Sequence, residues 1–341
     1  MATKSSSFKR ENLRTVVEVE PLNRQITYAD RIMLLGSCFT EHIGNRLLAL
    51  KFNALVNPFG IVYNPLSIAD QLNCLLHPRE FTRDDLVFHE DLWHSWSHHS
   101  RFSNPDADSL LKKINEQVIR GSEFLEHTGL MILTFGTSEA WYLKSGDRLV
   151  SNCHKWPADR FYTRKPNPGE LVDRWVPIIN SLVERNPDLR ICLTISPVRY
   201  LKDGPLGNQL SKSTLFLFIG RLLEMFPNLY YFPSYEIFMD DLRDYRFYDI
   251  DLAHPGISGV DYVWGKFVKA CMDPEIFALM DEVESAAKAA HHRPPVHVTA
   301  AHRRFVDQQV ERLSALVSRN PFLDFSEEIK LLQSQAESDQ S

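Results

Sequence analysis

The residues IMLLGSCFTEHIGNRLLAL, at positions 32–50, decide the fold class of this sequence. Ile32–Leu35 is a short apolar run that stops at Gly36, and apolar residues recur at helical spacing from Thr40 to Leu50. An apolar run, a glycine and an amphipathic segment in this order predict a strand, a tight turn and a helix.

The same alternation recurs along the rest of the chain. Apolar runs that predict strands lie at Leu55–Val56, Gly129–Phe135, Leu189–Ile195 and Leu229–Phe232. Segments with helical spacing lie at Pro65–Leu76, Trp175–Arg185, Ser213–Phe226 and Ile257–Met272. Strands that alternate with helices favour a parallel sheet with helices on both faces. We therefore predict an α/β fold, a three-layer α/β/α sandwich with a central, mostly parallel sheet of about five strands.

Three segments are expected on this basis. Residues 1–28 form an N-terminal segment, residues 29–273 form the α/β domain, and residues 274–341 form a helical C-terminal extension with a polar tail. Glu80–Asn104 is rich in Trp and His and does not fit the alternation, so we expect an insertion or an irregular loop there.

Composition and charge disfavour several classes of protein. The 341 residues are 44% hydrophobic and carry a net charge of -6. Proteins that bind nucleic acids usually have an excess of basic residues, which this chain lacks. No window reaches the roughly 20 apolar residues of a membrane helix, and the polar N-terminus shows no secretory signal. Five cysteines without CxxC spacing disfavour disulfides and zinc. We expect a cytoplasmic protein with no nucleic-acid or membrane partner, and the oligomeric state stays open.

Polar residues follow the predicted strands at the points where the strands end. They are Ser37 after the first strand, Asn57 and Gly60 after the second, Gly136 and Thr137 after the third, Arg199 after the fourth, and Asp251 and His254 after the fifth. Because ligands bind beyond the carboxyl ends of parallel strands, we expect these residues to meet at one edge of the sheet.

Ser37, His254 and Asp251 are the residue types that nucleophilic catalysis needs. A serine hydroxyl requires a base within hydrogen-bond reach, and a histidine base requires a carboxylate that orients the ring. Taken by itself, a Gly-Ser before a helix is more often a turn with an N-cap. An Asp-x-x-His taken by itself is more often a pair of exposed surface residues without a catalytic role. Their common placement at strand ends favours a catalytic site.

The motifs also resemble a known family. LLGSCFTEHIG at 34–44, NPFGIVYNP at 57–65, TFGTSEAW at 134–141, NCHK at 152–155, SPVR at 196–199 and DYRFYDIDLAHP at 244–255 resemble the motifs of the GSCFA domain family. That family is placed with the SGNH, or GDSL-like, hydrolases, whose fold is flavodoxin-like. The resemblance implies a serine esterase with Ser37 as nucleophile and an Asp251–His254 dyad.

One departure concerns the oxyanion site. SGNH enzymes commonly carry Gly-x-Asn-Asp in their third block, and here the matching stretch is Gly136-Thr137-Ser138-Glu139. Asn152, Thr137 or His154 could replace the missing Asn, and the sequence does not choose among them. Gly60 is assigned as the block-two glycine, with Asn57 beside it.

Other residues leave alternatives open. Cys38 could be the nucleophile in place of Ser37, since a thiol at a helix N-terminus is activated, although family position favours Ser37. The histidines at 89, 94, 98 and 99 miss the HExxH spacing, so we expect no metal there, and either a lid over the cleft or a packed loop. Arg199 could bind a carboxylate or phosphate of the substrate, or form a structural salt bridge.

The function expected from these residues is hydrolysis of an ester-linked acyl group, with O-acetyl on a carbohydrate as one candidate substrate. An acyltransferase that uses a sugar hydroxyl as acceptor is one alternative, and a non-catalytic ligand-binding protein on the same fold is another. No glycine-rich phosphate loop is present, so we expect no nucleotide cofactor.

Overall fold

A computed structural model describes residues 15–290 and 299–337 of the chain. Residues 1–14 of the predicted N-terminal segment and 338–341 of the predicted polar tail lie outside this range. The strands are β1 (Arg31–Gly36), β2 (Asn53–Val56), β3 (Leu86–His89), β4 (Leu92–Ser95), β5 (Leu130–Phe135), β6 (Ala140–Leu143), β7 (Arg148–Val150), β8 (Phe161–Arg164), β9 (Arg190–Ile195) and β10 (Leu229–Tyr231).

Helices connect and cover these strands. They are α1 (Cys38–Ala49), α2 (Pro65–Leu76), α3 (Ala107–Glu126), α4 (Pro168–Arg185), α5 (Gly204–Met225), α6 (Ser234–Glu236), α7 (Ile257–Cys271), α8 (Phe277–Ala290), α9 (Ala300–Arg319) and α10 (Ser326–Glu337). A π-helical stretch, Ile237–Leu242, follows α6 directly.

The central sheet has five strands in the order β10-β9-β5-β1-β2, and every neighbouring pair is parallel. The predicted fold class is therefore confirmed. The chain leaves β1 toward β2 on one side and returns to β5 on the other, so the direction of winding reverses between β1 and β5. A crevice forms at such a point, outside the carboxyl ends of the two strands.

Successive residues of β1 explain the three layers. Met33 and Leu35 join the apolar core that contains residues of α2, α3, α4 and α5. Ile32 and Leu34 join the core that contains residues of α1, α7, α8, α9 and α10. Because side chains alternate between the two faces of a strand, an apolar run is what burial on both faces requires.

Two parts of the fold were not predicted. The segment Glu80–Asn104, expected to be an insertion or an irregular loop, contains an antiparallel hairpin of β3 and β4 with short helical turns on either side, so it is not irregular. A small antiparallel sheet in the order β7-β6-β8 follows β5. These strands are three or four residues long, which is too short for a period-2 pattern to stand out from the sequence.

The C-terminal helices are part of the second core. Leu313, Leu316 and Leu332 are buried in the cluster that also holds Phe52 and Val263 of the α/β domain. No helix within residues 15–290 and 299–337 is long and apolar enough to span a membrane.

Candidate active site

The turn between β1 and α1 places Ser37 and Cys38 at the carboxyl edge of the sheet. Gly36 has φ +148°, and a Cβ at this position would lie 2.4 Å from the carbonyl oxygen of Thr134 on β5. The chain can pass this close to β5 only because residue 36 is glycine. Ser37 is the N-cap residue of α1, and Cys38 is the first residue of the helix.

The predicted contact between Ser37 and His254 is absent. Ser37 Oγ is buried and has no hydrogen-bond partner, while the Ser37 residue as a whole is 1% exposed. The His254 side chain is 46% exposed. The serine hydroxyl is buried, whereas the imidazole lies at the surface, so no hydrogen bond joins the two groups in this arrangement.

Asp251 and His254 do form the predicted pair. His254 Nδ1 lies 2.6 Å from Asp251 Oδ2, and the backbone N–H groups of Ala253 and His254 donate to Asp251 Oδ1 at 2.9 Å each. The backbone N–H groups of His254 and Ala253 lower the pKa of the Asp251 carboxyl to about 2. The carboxylate is therefore ionised at neutral pH and orients the imidazole. Asp249 Oδ1 accepts instead from the N–H of Ile250.

His254 interacts electrostatically with α1, and its loop is bonded to the loop after β9. The pKa of His42, on α1, is lowered mainly by burial, then by Arg46 and by His254. The dyad is also tied to the loop after β9, because the N–H of Arg199 donates to the carbonyl of Ala253 at 3.0 Å.

Asn57 and Gly60 occupy different roles in the loop after β2. Asn57 Oδ1 accepts from the N–H of Gly36 at 2.8 Å, and the buried Nδ2 of Asn57 has no hydrogen-bond partner. The Gly60 N–H donates to the Asn57 carbonyl at 2.7 Å, so it is not free for an oxyanion. Gly60 has φ +82°, and a Cβ there would lie 2.3 Å from His99 Cβ. Packing and backbone conformation therefore both require glycine at position 60.

Gly136 and Thr137 do not offer free donors either. Both backbone N–H groups donate to the carbonyl of Tyr63, at 2.7 and 3.2 Å. Thr137 Oγ1 forms a hydrogen bond with Ser211 Oγ at 2.7 Å. A Cβ on Gly136 would lie 2.6 Å from the hydroxyl of Tyr200, so Tyr200 covers this strand end.

Asn152 and His154 line an aromatic cleft of about 390 Å³. Its other walls include Tyr63, Trp141, Trp156, Phe161 and Tyr200. Asn152 Oδ1 accepts from the His154 N–H at 2.8 Å, and His154 Nε2 lies 2.8 Å from the Ser95 carbonyl. Burial lowers the pKa of His154 to about 4, so the ring is neutral at physiological pH, with Nδ1 unpartnered.

Arg199 lines a second cleft of about 360 Å³, which it shares with Tyr200, Tyr235, Tyr245 and Tyr248. Its guanidinium carbon lies 6.0 Å from the centre of the Tyr248 ring. Within the described parts of the chain, no carboxylate forms an ion pair with Arg199. Tyr200 lines both clefts.

Lys212 is a polar residue of the site that the sequence analysis missed. It lies on α5 and is 2% exposed, and Nζ donates to the carbonyls of Gly136 and Ser196 at 2.6 Å each. These two residues follow β5 and β9 directly, so Lys212 lies under the carboxyl edge of the sheet. Helical spacing could have identified Lys212, because the buried face of α5 that carries Leu215, Phe218 and Leu222 extends back to positions 211 and 212.

The histidine-rich segment is a packed part of the fold. His94 contacts Ser103 Oγ at 2.7 Å and the His89 carbonyl at 3.0 Å, and His98 contacts Ser95 Oγ at 2.9 Å. Burial lowers the pKa of His98 to about 3. In the part of the chain that the structure describes, no group of three or more His, Cys, Asp or Glu side chains is arranged to hold a metal ion.

The parallel sheet with helices on both faces and a polar site at its carboxyl edge defines a doubly wound α/β protein. The chain belongs to the GSCFA family, whose model matches residues 31–267. The model of the GSCFA domain protein, C-terminal domain, matches residues 283–338.

Comparison with other proteins adds two distant likenesses. A Streptococcus pneumonia protein described as a platelet activating factor is 12% identical, with a TM-score of 0.36 over 70% of this chain and 83% of that chain. A carbohydrate esterase family 3 protein from Talaromyces cellulolyticus is 7% identical, with a TM-score of 0.32 over 74% of this chain and 99% of its own. No match was found among curated proteins.

Proposed function

We propose that this chain is an SGNH-type acyl hydrolase that cleaves an ester through a covalent intermediate on the first turn of α1. The observation that carries the proposal is the hydrogen-bonded Asp251–His254 pair, held on the same edge of the sheet from which α1 starts. A histidine oriented by an ionised carboxylate is the general base that an acyl-transfer nucleophile needs.

The reaction has two steps. The nucleophile attacks the ester carbonyl, its proton passes to His254 Nε2, and the protonated imidazole returns a proton to the departing alcohol as the C–O bond breaks. Water then attacks the acyl-enzyme, His254 takes the water proton, and the carboxylic acid is released. Asp251 holds the ring and stabilises the imidazolium in both steps.

Ser37 is the nucleophile that the family motif predicts, and Cys38 is its neighbour on the same turn. Ser37 can act only if its Oγ, buried and unpartnered here, becomes accessible to the ester. Cys38 is partly exposed. The proposal of an acyl hydrolase requires one of the two residues, and their variants distinguish them.

The proposal is tested by hydrolysis of p-nitrophenyl acetate. We expect His254→Ala and one of the pair Ser37→Ala and Cys38→Ala to abolish turnover, with folded protein in each case. His77→Ala, at the end of α2, is the control and should keep the wild-type rate. Wild-type turnover in His254→Ala and in both turn variants would reject the proposed function.

Substrate binding is proposed for the two clefts. Trp141 and Trp156 offer flat apolar faces on which a sugar ring could stack, which supports a carbohydrate ester. Asn152 and His154 would bond to its hydroxyls, and Thr137 lines the same wall. All five cysteines are free, which is typical of a reducing compartment and supports a cytoplasmic location.

The Arg199 cleft supports acyl transfer as a second candidate function. This cleft adjoins the dyad, through the hydrogen bond from Arg199 to Ala253, and could seat an acceptor in place of water. Product analysis with added sugar acceptors distinguishes the two functions. A transferase yields the acylated sugar, and a hydrolase yields free acid at every acceptor concentration.

A further inference from the structure

The cleft that Arg199 lines has the composition of a small-molecule site. Its volume is about 360 Å³, and aromatic or apolar residues form more than half of its lining. At its base, Phe238 is buried and packs edge-on against Tyr248, with ring centres 4.8 Å apart. Leu201 and Tyr245 also line the cleft and are 51% and 63% exposed. A mostly apolar cleft of this size with a few polar groups is the usual form of a ligand site.

Arg199 is the charged residue of this cleft that has no partner among the described residues. Of the other two charged residues in the lining, Arg243 lies 3.8 Å from Asp240, and Asp244 lies 3.5 Å from Arg246. The Arg199 side chain has neither an ion pair nor a hydrogen bond within residues 15–290 and 299–337. Because Arg199 is half-buried and not enclosed, a ligand can reach its guanidinium.

The unpaired guanidinium defines the chemistry of the ligand. A guanidinium presents its N–H donors in a planar fork that matches the two oxygens of a carboxylate. The centre of the Tyr248 ring lies 6.0 Å from the guanidinium carbon, so an aromatic face adjoins the charge. One positive charge without a partner matches a ligand with one negative charge, and the carboxylate of Asp244 in the same lining disfavours a dianion.

Two residues of the cleft are bonded to the residues on either side of His254. The N–H of Arg199 donates to the carbonyl of Ala253 at 3.0 Å. Tyr248 forms an antiparallel bridge with Pro255. The cleft therefore adjoins the loop that holds the dyad.

We propose that this cleft binds a monocarboxylate with a planar apolar body. Its carboxylate pairs with the Arg199 guanidinium, and its body packs against Tyr245 and Tyr248. The role of the ligand rests on the proposed function: the carboxylate belongs to the alcohol half of the ester, the part that leaves in hydrolysis and that accepts the acyl group in transfer. Arg199 then determines specificity for an anionic alcohol.

The first experiment measures binding and needs no enzyme activity. The full chain is titrated with benzoate, with benzamide, which has the same shape without the charge, and with acetate, which has the charge without the ring. Isothermal titration calorimetry gives each Kd. We expect benzoate to bind about tenfold or more tightly than either of the others. Equal affinities for benzoate and benzamide, or no binding of benzoate, would overturn the proposal.

Phenyl phosphate distinguishes the two anionic groups that a guanidinium recognises. It carries the same ring as benzoate and up to two negative charges. We expect it to bind more weakly than benzoate at pH 7.5. A phenyl phosphate affinity above that of benzoate would overturn the assignment of a carboxylate.

The second experiment locates the site with matched variants. Arg199→Gln should remove the preference for benzoate over benzamide, and Arg199→Lys should restore part of it, because an ammonium keeps the charge but not the planar fork. Arg120→Gln, at an exposed position of α3, is the control and should bind benzoate as the wild type does. A preference unchanged in folded Arg199→Gln would place the carboxylate elsewhere and overturn the proposal.

Tyr245→Ala keeps the test decisive if Arg199→Gln does not fold. The side chain is 63% exposed, so its loss leaves the core intact. We expect the affinity for benzoate to fall about threefold or more as the ring contact is lost. An unchanged affinity in this variant would contradict binding in the cleft.

The carboxylate site and the proposed function fail separately. A wild-type chain that hydrolyses no ester rejects the proposed function, and the calorimetry alone then decides the carboxylate site. A chain that hydrolyses p-nitrophenyl acetate but binds benzoate and benzamide equally keeps the proposed function and loses the carboxylate site.

Discussion

Asp251 and Lys212 have different surroundings, and the pKa of each side chain is lowered for a different reason. Asp251 is solvated and receives two backbone N–H groups, which lower the pKa of its carboxyl to about 2. Lys212 is enclosed, and burial lowers the pKa of its amine to about 7. At neutral pH the dyad carboxylate is therefore fixed in its charged form, whereas Lys212 is close to its titration point.

Asp251→Asn tests the orienting role of the carboxylate. An amide at this position removes the charge that stabilises the imidazolium and leaves the ring free to adopt the wrong tautomer. We expect kcat for p-nitrophenyl acetate to fall by about 10²–10⁴. Asp249→Asn is the matched control, since its Oδ1 accepts only from the adjacent Ile250 N–H and an amide oxygen can still do so. Equal losses in the two variants would contradict the dyad.

Lys212 also gives stability a pH dependence. The pKa of about 7 in the folded chain lies below the ordinary lysine value of 10.5, so the buried ammonium destabilises the fold fully below pH 7. As pH rises from 7 to about 10.5, the unfolded chain holds the extra proton, and the free energy of unfolding rises relative to Lys212→Met by up to about 5 kcal/mol. Urea titrations of both proteins at several pH values measure this difference, and a constant difference would show that Lys212 does not titrate there.

Among the elements, the turn from β1 to α1 sets the position of both candidate nucleophiles, Ser37 and Cys38. Gly36 lets the chain leave β1 at a positive φ while it touches β5, and its N–H fixes Asn57. In the helix that follows, the N-cap Ser37 is buried and the first residue, Cys38, is partly exposed.

Gly36→Ala should therefore destabilise the protein by about 2 kcal/mol or more, because the new Cβ meets a backbone carbonyl and the φ is unfavourable. Gly220→Ala, in α5, has nothing within 4 Å of its Cβ and should stabilise by up to about 1 kcal/mol. Urea unfolding measures both. A loss in Gly36→Ala no larger than the change in Gly220→Ala would mean that the turn can relax.

Apolar runs predicted all five strands of the central sheet and the helices that begin near residues 38, 65 and 257, because burial on two faces leaves a strong pattern. The same reasoning could not show which of Ser37 and Cys38 is buried, since the apolar pattern does not fix the conformation of the turn that joins β1 to α1. Lys212 was missed because a lysine on a helix is ordinarily solvated, and only its place in the buried stripe of α5 marks it.

On the scale of the whole molecule, the C-terminal helices and the α/β domain share one apolar core. Leu313 and Leu332 pack in the same cluster as Ile32 and Leu34 of β1. Lys51, which follows α1, pairs with Glu328 of α10, and both side chains are largely buried. The boundary at residues 273 and 274 stays a prediction, and the shared core makes independent unfolding of the extension unfavourable.

Leu332→Ala should lower the stability of the whole chain by about 2–5 kcal/mol, since the side chain is 0% exposed. Its neighbour Leu331 is 37% exposed, and Leu331→Ala should cost less than about 1 kcal/mol. Circular dichroism and cleft tryptophan fluorescence should report one common transition in both variants. A separate early transition in Leu332→Ala would show that the extension unfolds by itself.

The proposed function depends on the transfer of an acyl group to the first turn of α1 with His254 as base. The most direct measurement is acid-quenched acetyl incorporation from p-nitrophenyl acetate, mapped by mass spectrometry in wild-type protein and in His254→Ala. We expect close to one acetyl group per chain on the peptide that contains residues 37 and 38, and its loss in His254→Ala. No acetyl group on that peptide in folded wild-type protein, or equal incorporation in the two proteins, would contradict it.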